Sequence, residues 1–192
     1  MHIALMAFVL AVSADSATDA LKARDAEIRK ALPPADHVMT AGEREKLEEL
    51  LIQAVDLPGM AKDSLGKRWD KVSEADRKRY VRAFSARFKK ASEGEIDFYR
   101  SSEITYAAET PSTDGTDGDV NVPTTLTLKD EPTPVVYTVR KEGAGYKIVD
   151  LSVDGVSTVD NYKSSFGKIY DKEGIDGLVT RLQKEPPKPV GK

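Results

Sequence analysis

The stretch DLSVDGVSTVDNYKSSFGKIYDKEGIDGL, residues 150–178, decides the fold of this chain. It begins with the end of a strand at Asp150–Asp154 and turns at Gly155. Apolar side chains then recur at helical spacing, which predicts one helix over 156–171 and another over 175–184. The polar residues of the stretch match no catalytic motif.

Before this stretch, apolar and polar side chains alternate, which is typical of half-buried strands. Turn residues at 111–118, 130–134 and 143–145 separate the runs, so we predict a four-stranded antiparallel meander. Pro123 in the second run indicates an edge strand or a bulge. The alternating apolar residues are Ile104, Tyr106, Val120, Val122, Leu126, Leu128, Val135, Tyr137, Val139, Val149, Leu151 and Val153.

Nearer the N-terminus, the pattern predicts helices. A first helix covers 18–31, and Thr40 with Glu43 forms a capping box that opens a second. A short third helix starts near Pro58, and Ser73 caps a longer fourth. Helices segregated from an antiparallel sheet give an α+β fold, with a helical N-terminal part and a curved four-stranded sheet wrapped by helices.

Composition excludes several classes of function. The chain has 192 residues, 32% charged and 40% hydrophobic, which describes one soluble globular domain, predicted over 18–184. A net charge of −3 gives no general attraction to nucleic acid. Because the chain has no cysteine, disulfides, thiolate catalysis and cysteine zinc sites are excluded. No GxSxG, HExxH, P-loop or Rossmann glycine pattern is present.

Both ends of the chain differ from this domain. Residues 3–12 form an apolar run that is too short to span a bilayer, and small residues follow it. This favours a signal peptide over 1–17, although its only early basic candidate is His2. The mature protein is then expected in an envelope compartment. The tail 185–192 is rich in proline and lysine and is predicted to be disordered.

The stretch 150–178 quoted above and the block LGKRWDKVSEADRKRYVRAF (65–84) together resemble the MlaC-like, or toluene-tolerance, family. The resemblance runs from about residue 50 to about residue 182. In the C-terminal block the matching residues are Asp150, Gly155, Val156, Ser157, Asn161, Tyr162, Phe166, Gly174, Ile175, Asp176, Gly177 and Leu178. Around LGKRWDKVSEADRKRYVRAF (65–84) they are Asp56, Met60, Ala61, Leu65, Gly66, Trp69, Arg77, Tyr80 and Phe84.

The resemblance implies a cone-like fold, similar to ketosteroid isomerases, and a function. Family members are periplasmic phospholipid carriers of Gram-negative bacteria. By this resemblance, the expected partners are phospholipid, an inner-membrane lipid ABC transporter complex and an outer-membrane lipoprotein complex. Contact with membranes would be transient, and no nucleic acid is expected. No catalytic residue, metal or cofactor is expected apart from the lipid cargo.

A carrier needs an apolar wall. Removing two chains of about 16 carbons from a bilayer exposes methylenes at about 0.8 kcal/mol each, a gross cost on the order of 20 kcal/mol. We predict a lipid-binding wall on the inner sheet face and its covering helices. Its residues are Phe84, Phe88, Ile104, Tyr106, Leu126, Leu128, Tyr137, Val139, Leu151, Val153, Tyr162 and Phe166. The same pattern would also suit an ordinary packed core.

Two alternative functions use the same scaffold. One is a carrier of another amphiphile, such as a hopanoid. The other is an isomerase-like enzyme with Asp150 as general base, its pKa raised by burial. The simpler interpretation is that Asp150 accepts hydrogen bonds from backbone N–H groups at the strand-to-helix turn. His37, in a loop after two prolines, is interpreted as a solvated side chain.

Charged segments suggest two further sites. Asp114, Asp117, Asp119 and Asn121 resemble a calcium loop only superficially, because their spacing is wrong and Thr125 occupies the position of the bidentate Glu. A solvated hairpin turn is favoured. The segment 67–90 is strongly basic. It is either the solvated face of an amphipathic helix or a surface that attracts anionic head groups or an acidic partner.

Overall fold

The helices precede and follow the sheet along the chain. The computed structural model describes residues 16–34, 36–92, 95–113 and 116–184. The helices are α1 (Ala17–Ala31), α2 (Ala41–Gln53), α3 (Leu57–Leu65), α4 (Glu74–Ser92), α5 (Glu95–Ser101) and α6 (Thr158–Lys184), with a 3₁₀ helix at Gly66–Lys71. The strands are β1 (Glu103–Tyr106), β2 (Thr110–Pro111), β3 (Val120–Leu128), β4 (Glu131–Glu142), β5 (Gly145–Val153) and β6 (Val156–Ser157). The predicted α+β class is confirmed.

Side chains that accept hydrogen bonds from the free backbone N–H groups of the first turn determine where several helices begin. The Thr40 hydroxyl accepts the N–H of Glu43, and the Glu43 carboxylate accepts the N–H of Thr40 at 2.8 Å, so the predicted capping box is confirmed. The Ser73 hydroxyl accepts the N–H of Asp76 at the start of α4, also as predicted. Ser16 caps α1, which therefore starts at Ala17.

The predicted number of strands was wrong. Within the described residues the sheet has six strands, all antiparallel, in the order β1-β3-β4-β5-β6, with β2 also paired to β3. β2 and β6 have two residues each, which is too short for an alternating pattern to be recognised. Since Val156 and Ser157 pair with β5, the following helix begins at Thr158 rather than at 156.

Two local features also differ from the prediction. Pro123 is not on an edge strand, because β3 pairs with β4 on one side and with β1 and β2 on the other. The nitrogen and the carbonyl of a strand residue point to the same side, and the Pro123 carbonyl accepts the N–H of Ala107. The Pro123 nitrogen therefore faces the interruption between β1 and β2, where the missing N–H of proline is tolerated. The bulge lies on β5 instead, where Thr138 pairs with Asp150 and Val139 with Ile148.

Two C-terminal helices are present as predicted, one on each side of Gly174, and together they are labelled α6. α6 runs from Thr158 to Lys184 with a break at Gly174, whose φ of 68° lies in the region that favours glycine. The predicted leader, apart from Ser16 and Ala17, and the predicted tail lie outside the described residues. Within the described ranges no helix has the length and apolar character needed to cross a bilayer.

Helices α3, α4 and α6 pack together around a cluster that we call the helical core. Its buried residues are Leu57, Met60, Ala61, Leu65, Val72, Tyr80, Ala83, Phe84, Val159, Phe166, Leu178, Val179 and Leu182. Another cluster joins α1 to the sheet through Ala17, Val122 and Val139. The helical core is therefore built from helices, and the sheet packs separately against α1.

Strand register gives the sheet two chemically different faces, because side chains directly opposite each other point to the same side. One carries Thr124, Thr133, Glu131 and Lys141 but is otherwise apolar, and we call it the apolar face. Its apolar residues are Ile104, Tyr106, Val120, Val122, Leu126, Leu128, Val135, Tyr137, Val139, Tyr146, Ile148, Leu151 and Val153. The other is the polar face, with Asn121, Thr125, Thr127, Val136, Thr138, Arg140, Lys147, Asp150 and Ser152.

Candidate functional site

The apolar face brings together all eight sheet residues of the predicted wall. Ile104 lies opposite Leu126, and Tyr137 lies opposite Leu151 in the register of the sheet. Val153 lies opposite Val135. The remaining members, Tyr106, Leu128 and Val139, share this face with them. The register therefore places the whole predicted sheet set on one surface. Lipid binding by these residues remains a prediction.

Most of this surface is incompletely covered. Of the eight predicted residues, only Val139 and Leu126 are buried, with 0% and 7% of their surface exposed, and Val122 and Val135 of the same face are buried as well. The other six predicted residues are half-buried: Ile104, Tyr106, Leu128, Tyr137, Leu151 and Val153. Large apolar side chains that keep contact with solvent inside a sheet layer are available for contact with a further apolar group.

Helix α1 covers part of the apolar face with few apolar side chains. Ala17 and Leu21 pack on the sheet cluster, and the Lys22 ammonium lies 5.7 Å from the Tyr106 ring centroid. The Thr18 hydroxyl and backbone N–H both donate to the Glu109 carboxylate, at 2.9 and 2.8 Å. Polar contacts therefore contribute much of the attachment of α1 at this end.

The other end of α1 is attached by both apolar and polar contacts, because Ile28 is buried in a cluster with Leu47 and Ile96. The Tyr99 hydroxyl donates to the Asp25 carboxylate, and Arg29 donates to the Ser102 carbonyl at 3.1 Å. The Arg29 guanidinium carbon also lies 4.9 Å from the centroid of the Tyr99 ring. Such contacts can exchange with water more readily than buried apolar contacts can.

Two of the three tyrosines on the apolar face, Tyr106 and Tyr137, have raised pKa values. Burial, and next the nearby Asp25 carboxylate, raises the pKa of Tyr137 to about 12. Burial also raises the pKa of Tyr106, with smaller contributions from Asp25 and Tyr137. Both rings therefore present an uncharged hydroxyl at neutral pH, which is compatible with acyl chains and ester groups.

The four helical residues of the predicted wall lie elsewhere, in the helical core. Phe84 contacts Tyr162 edge to face at a centroid distance of 5.5 Å, and Tyr162 stacks on Phe166 at 4.9 Å. Phe88 stacks on Phe84 at 6.3 Å. The helical core and the sheet cluster share no residue. The structure therefore divides the predicted wall into two groups.

Sequence reasoning missed several members of the apolar face. Val120, Val122 and Val135 alternate in phase with the chosen residues and could have been included. Tyr146 and Ile148 could not have been included, because Val149 is an extra residue at the bulge. Residues of β5 before the bulge therefore face the opposite side from the one that simple alternation predicts. Val149 is buried and lines a cavity on the polar face.

That cavity, of about 510 Å³, is lined mainly by polar side chains. Arg140 donates to both Asp119 oxygens at 2.8 and 2.9 Å, and Asp119 also accepts the N–H of Thr116. Burial raises the pKa of Asp63, which lies 3.9 Å from Arg140. A cavity with charged walls is unsuited to acyl chains, because the chains would desolvate those charges.

The described residues of the calcium-loop pattern bind other side chains of the protein. Asp119 is paired with Arg140, and the Asn121 side chain accepts the Thr138 hydroxyl at 2.9 Å. Within the described ranges, no three His, Asp or Glu side chains are grouped so that they could hold a metal ion. Asp114 lies outside the described residues.

Asp150 has the structural role that was favoured for it. One carboxylate oxygen accepts the N–H groups of Leu151 and Val159, at 2.7 and 3.0 Å, and the other accepts the Ser157 hydroxyl. Ser157 in turn accepts the N–H of Asp160 at the start of α6. Asp150 therefore fixes the strand-to-helix turn. His37 is exposed and contacts Glu43 at 3.0 Å.

Comparisons with known proteins agree with this architecture. Residues 15–184 match the family described as MlaC protein. A phospholipid-binding protein from Ralstonia solanacearum, solved in complex with a phospholipid, has a similar fold, with a TM-score of 0.67 and 20% identity. The likeness covers 90% of this chain and 93% of that chain. A comparison with curated proteins found no match.

Proposed function

This chain belongs to the MlaC family, and from that premise we propose that it is a periplasmic carrier of phospholipid. It encloses the acyl chains against the apolar face of the sheet and moves lipid between the two membranes of a Gram-negative envelope. The expected partners are an inner-membrane lipid ABC transporter complex and an outer-membrane lipoprotein complex. No covalent step is part of the cycle.

The observation that carries this proposal is the half-buried apolar face. Each methylene that leaves water contributes about 0.8 kcal/mol, so a diacyl lipid requires a broad apolar surface. Six large residues of the predicted wall, among them Tyr106, Tyr137 and Leu151, keep surface available for such a guest. The phospholipid found in the Ralstonia solanacearum structure of similar fold supports the same cargo.

We propose that helix α1 is a movable cover over the apolar face. It contributes few apolar side chains to the sheet cluster and is attached to the rest of the chain by polar contacts with Glu109, Tyr99 and Ser102. Ile28 adds a buried apolar contact at its C-terminal end. Moving it would cost less than separating the helical core. We propose that acyl chains take the place of part of its contact with the sheet.

A structural role for Asp150 favours carriage over catalysis. Both of its oxygens are engaged with Leu151, Ser157 and Val159, which leaves the carboxylate poorly placed to take a proton from a substrate. The isomerase alternative therefore gains no support from its proposed base.

Mass spectrometry of the purified protein tests the cargo. We expect organic extracts to contain phospholipid in about one-to-one ratio with protein. A sterol-like or hopanoid lipid in place of phospholipid would support the other amphiphile carrier instead. An extract without any lipid, together with failure to bind added phospholipid, would contradict the carrier function.

Neighbouring residues on β5 provide a matched pair of variants. Leu151 lies on the apolar face, whereas Ser152 lies on the polar face and lines the polar cavity. We expect Leu151→Gln to lower the phospholipid content and Ser152→Gln to leave it unchanged. Thermal unfolding of both variants shows that each is folded. Equal lipid content in the two variants would exclude the apolar face as the binding surface.

A further inference from the structure

A second surface feature lies outside the proposed lipid site, between α3 and α4. It is a groove of about 630 Å³, which we call the basic groove. Its apolar members are Pro58, Trp69 and Val81, and its basic members include Lys62, Arg77 and Arg82. Trp69 and Val81 are half-buried against the helical core, so their outer surfaces face the groove.

The basic groove has the opposite charge to the chain. Four basic side chains line it, the fourth being Lys78, against two carboxylates, Asp56 and Glu74. Both carboxylates are already engaged: Asp56 accepts the N–H of Gly59, and Glu74 pairs with Lys78 in an exposed contact that engages Lys78 as well. The whole chain has a net charge of −3. A local positive surface on an acidic protein indicates a negatively charged ligand.

Two of the cations are available. Within the ranges that the structure describes, Lys62 and Arg82 form no hydrogen bond and no ion pair, and both are exposed. Arg82 also lines an adjoining cavity of about 400 Å³ with Val179 and Thr180, which extends the surface towards the end of α6. An anionic ligand could therefore meet both cations without breaking a contact of the folded chain.

Arg77 is fixed in place. Its Nε and Nη2 atoms donate to the Trp69 carbonyl at 3.1 and 2.9 Å, and its guanidinium carbon lies 5.0 Å from the Trp69 ring centroid. Because the Arg77 side chain is already ordered, it loses little additional conformational entropy when it binds a carboxylate. A Trp beside an Arg is also a typical pair at the energetic centre of a protein interface.

We propose that the basic groove docks an acidic segment of a partner protein that also carries apolar side chains. The feature is a groove, which fits a helix edge or an extended segment that contacts Trp69 and Val81 better than it fits the flat surface of a bilayer. Under the proposed function, the partner is one of the two membrane complexes. The inference rests on that function for the identity of the partner only.

Charge reversal tests the proposal, with a control at the C-terminal end of α4. The groove variant is Lys62→Glu/Arg82→Glu. The control is Lys89→Glu/Lys90→Glu, two exposed residues at the end of α4 that do not line the groove. Both change the net charge equally. Binding to each cognate complex, purified in detergent, is measured by surface plasmon resonance at low and moderate salt.

We expect the groove variant to bind one of the complexes about tenfold or more weakly, and the control to change binding less than about threefold. Equal weakening by both variants, or no weakening by the groove variant, would overturn the proposal. So would a wild-type protein that binds neither complex. The phospholipid content of the groove variant should equal that of the wild type. Lipid content therefore tests the carrier function, and binding to the complexes tests the docking proposal, so that either can fail without the other.

Vesicles of phosphatidylglycerol provide a further arm. If the wild-type protein binds these vesicles, and the groove variant loses that binding but keeps its affinity for both complexes, the groove is a membrane-contact surface and the proposed protein partner is wrong. Vesicles of phosphatidylcholine serve as the uncharged comparison.

Discussion

The helical core and the apolar face have similar side chains but differ in how completely these are buried. In the helical core, Tyr80, Leu65 and Leu178 are 0% exposed and Phe84 is 2% exposed. On the apolar face, Tyr106 and Tyr137 are half-buried. A filled cluster resists the loss of any side chain, whereas an incompletely covered face can exchange its cover. Stability is therefore expected to depend on the first region and cargo on the second.

The largest expected effect is on the helical core. Phe84 contacts Tyr80, Phe88, Tyr162 and Phe166, with ring centroids 5.5 to 6.4 Å apart. Phe84→Ala should lower the free energy of unfolding by about 3–5 kcal/mol, because it removes buried surface and leaves a cavity that rigid helices cannot close. Urea denaturation followed by circular dichroism measures this change.

Ile104→Ala is the matched change on the apolar face. Ile104 is half-buried, so we expect a loss of only about 1 kcal/mol in the same measurement. Lipid content should respond in the opposite order, with the larger reduction in Ile104→Ala when both variants are folded. If the two variants lost equal stability, the contrast between the regions would be wrong.

A smaller effect distinguishes the two regions through their tyrosine hydroxyls. The Tyr80 hydroxyl lies 2.6 Å from the buried Ser64 hydroxyl, whereas the Tyr137 hydroxyl forms no hydrogen bond with the described residues. Tyr80→Phe should cost about 1 kcal/mol of unfolding free energy, because Ser64 loses a partner without gaining water. Tyr137→Phe should be nearly neutral. Denaturation of the lipid-free protein measures both, and a reversed order would contradict the assigned environments.

Local signals predicted much of the fold. The capping box at Thr40 and the N-cap at Ser73 depend on residues within one helical turn, so they can be read directly from the sequence. The strand phase was equally readable from Ile104 to Leu128. Resemblance to the MlaC family added the expectation of a lipid carrier, and the family is confirmed.

Contacts between distant segments were not predictable in the same way. The two-residue strands β2 and β6 exist because long neighbours provide free backbone partners, and so short a run has no period of its own. The bulge at Val149 changes which residues of β5 face α1, although the alternation in the sequence continues. Phe84 and Tyr137 were assigned to one wall because periodicity shows that a residue is buried, but not which residues it packs against.

The last difference between the two regions concerns high pH. Burial raises the pKa of Tyr137 from 10.0 to about 12, so the folded protein holds this proton where the unfolded chain has lost it. The associated stability is present below pH 10 and is lost as the pH rises from about 10 to about 12. Tyr137→Phe should therefore flatten part of the alkaline decline in unfolding free energy.

Bound lipid should add to the protection of Tyr137 from ionisation but leave Tyr80 in the helical core unchanged. An ultraviolet titration of tyrosine ionisation with and without phospholipid, compared between Tyr137→Phe and the wild type, measures this. A lipid-dependent shift that persists in Tyr137→Phe would place the cargo away from this part of the apolar face.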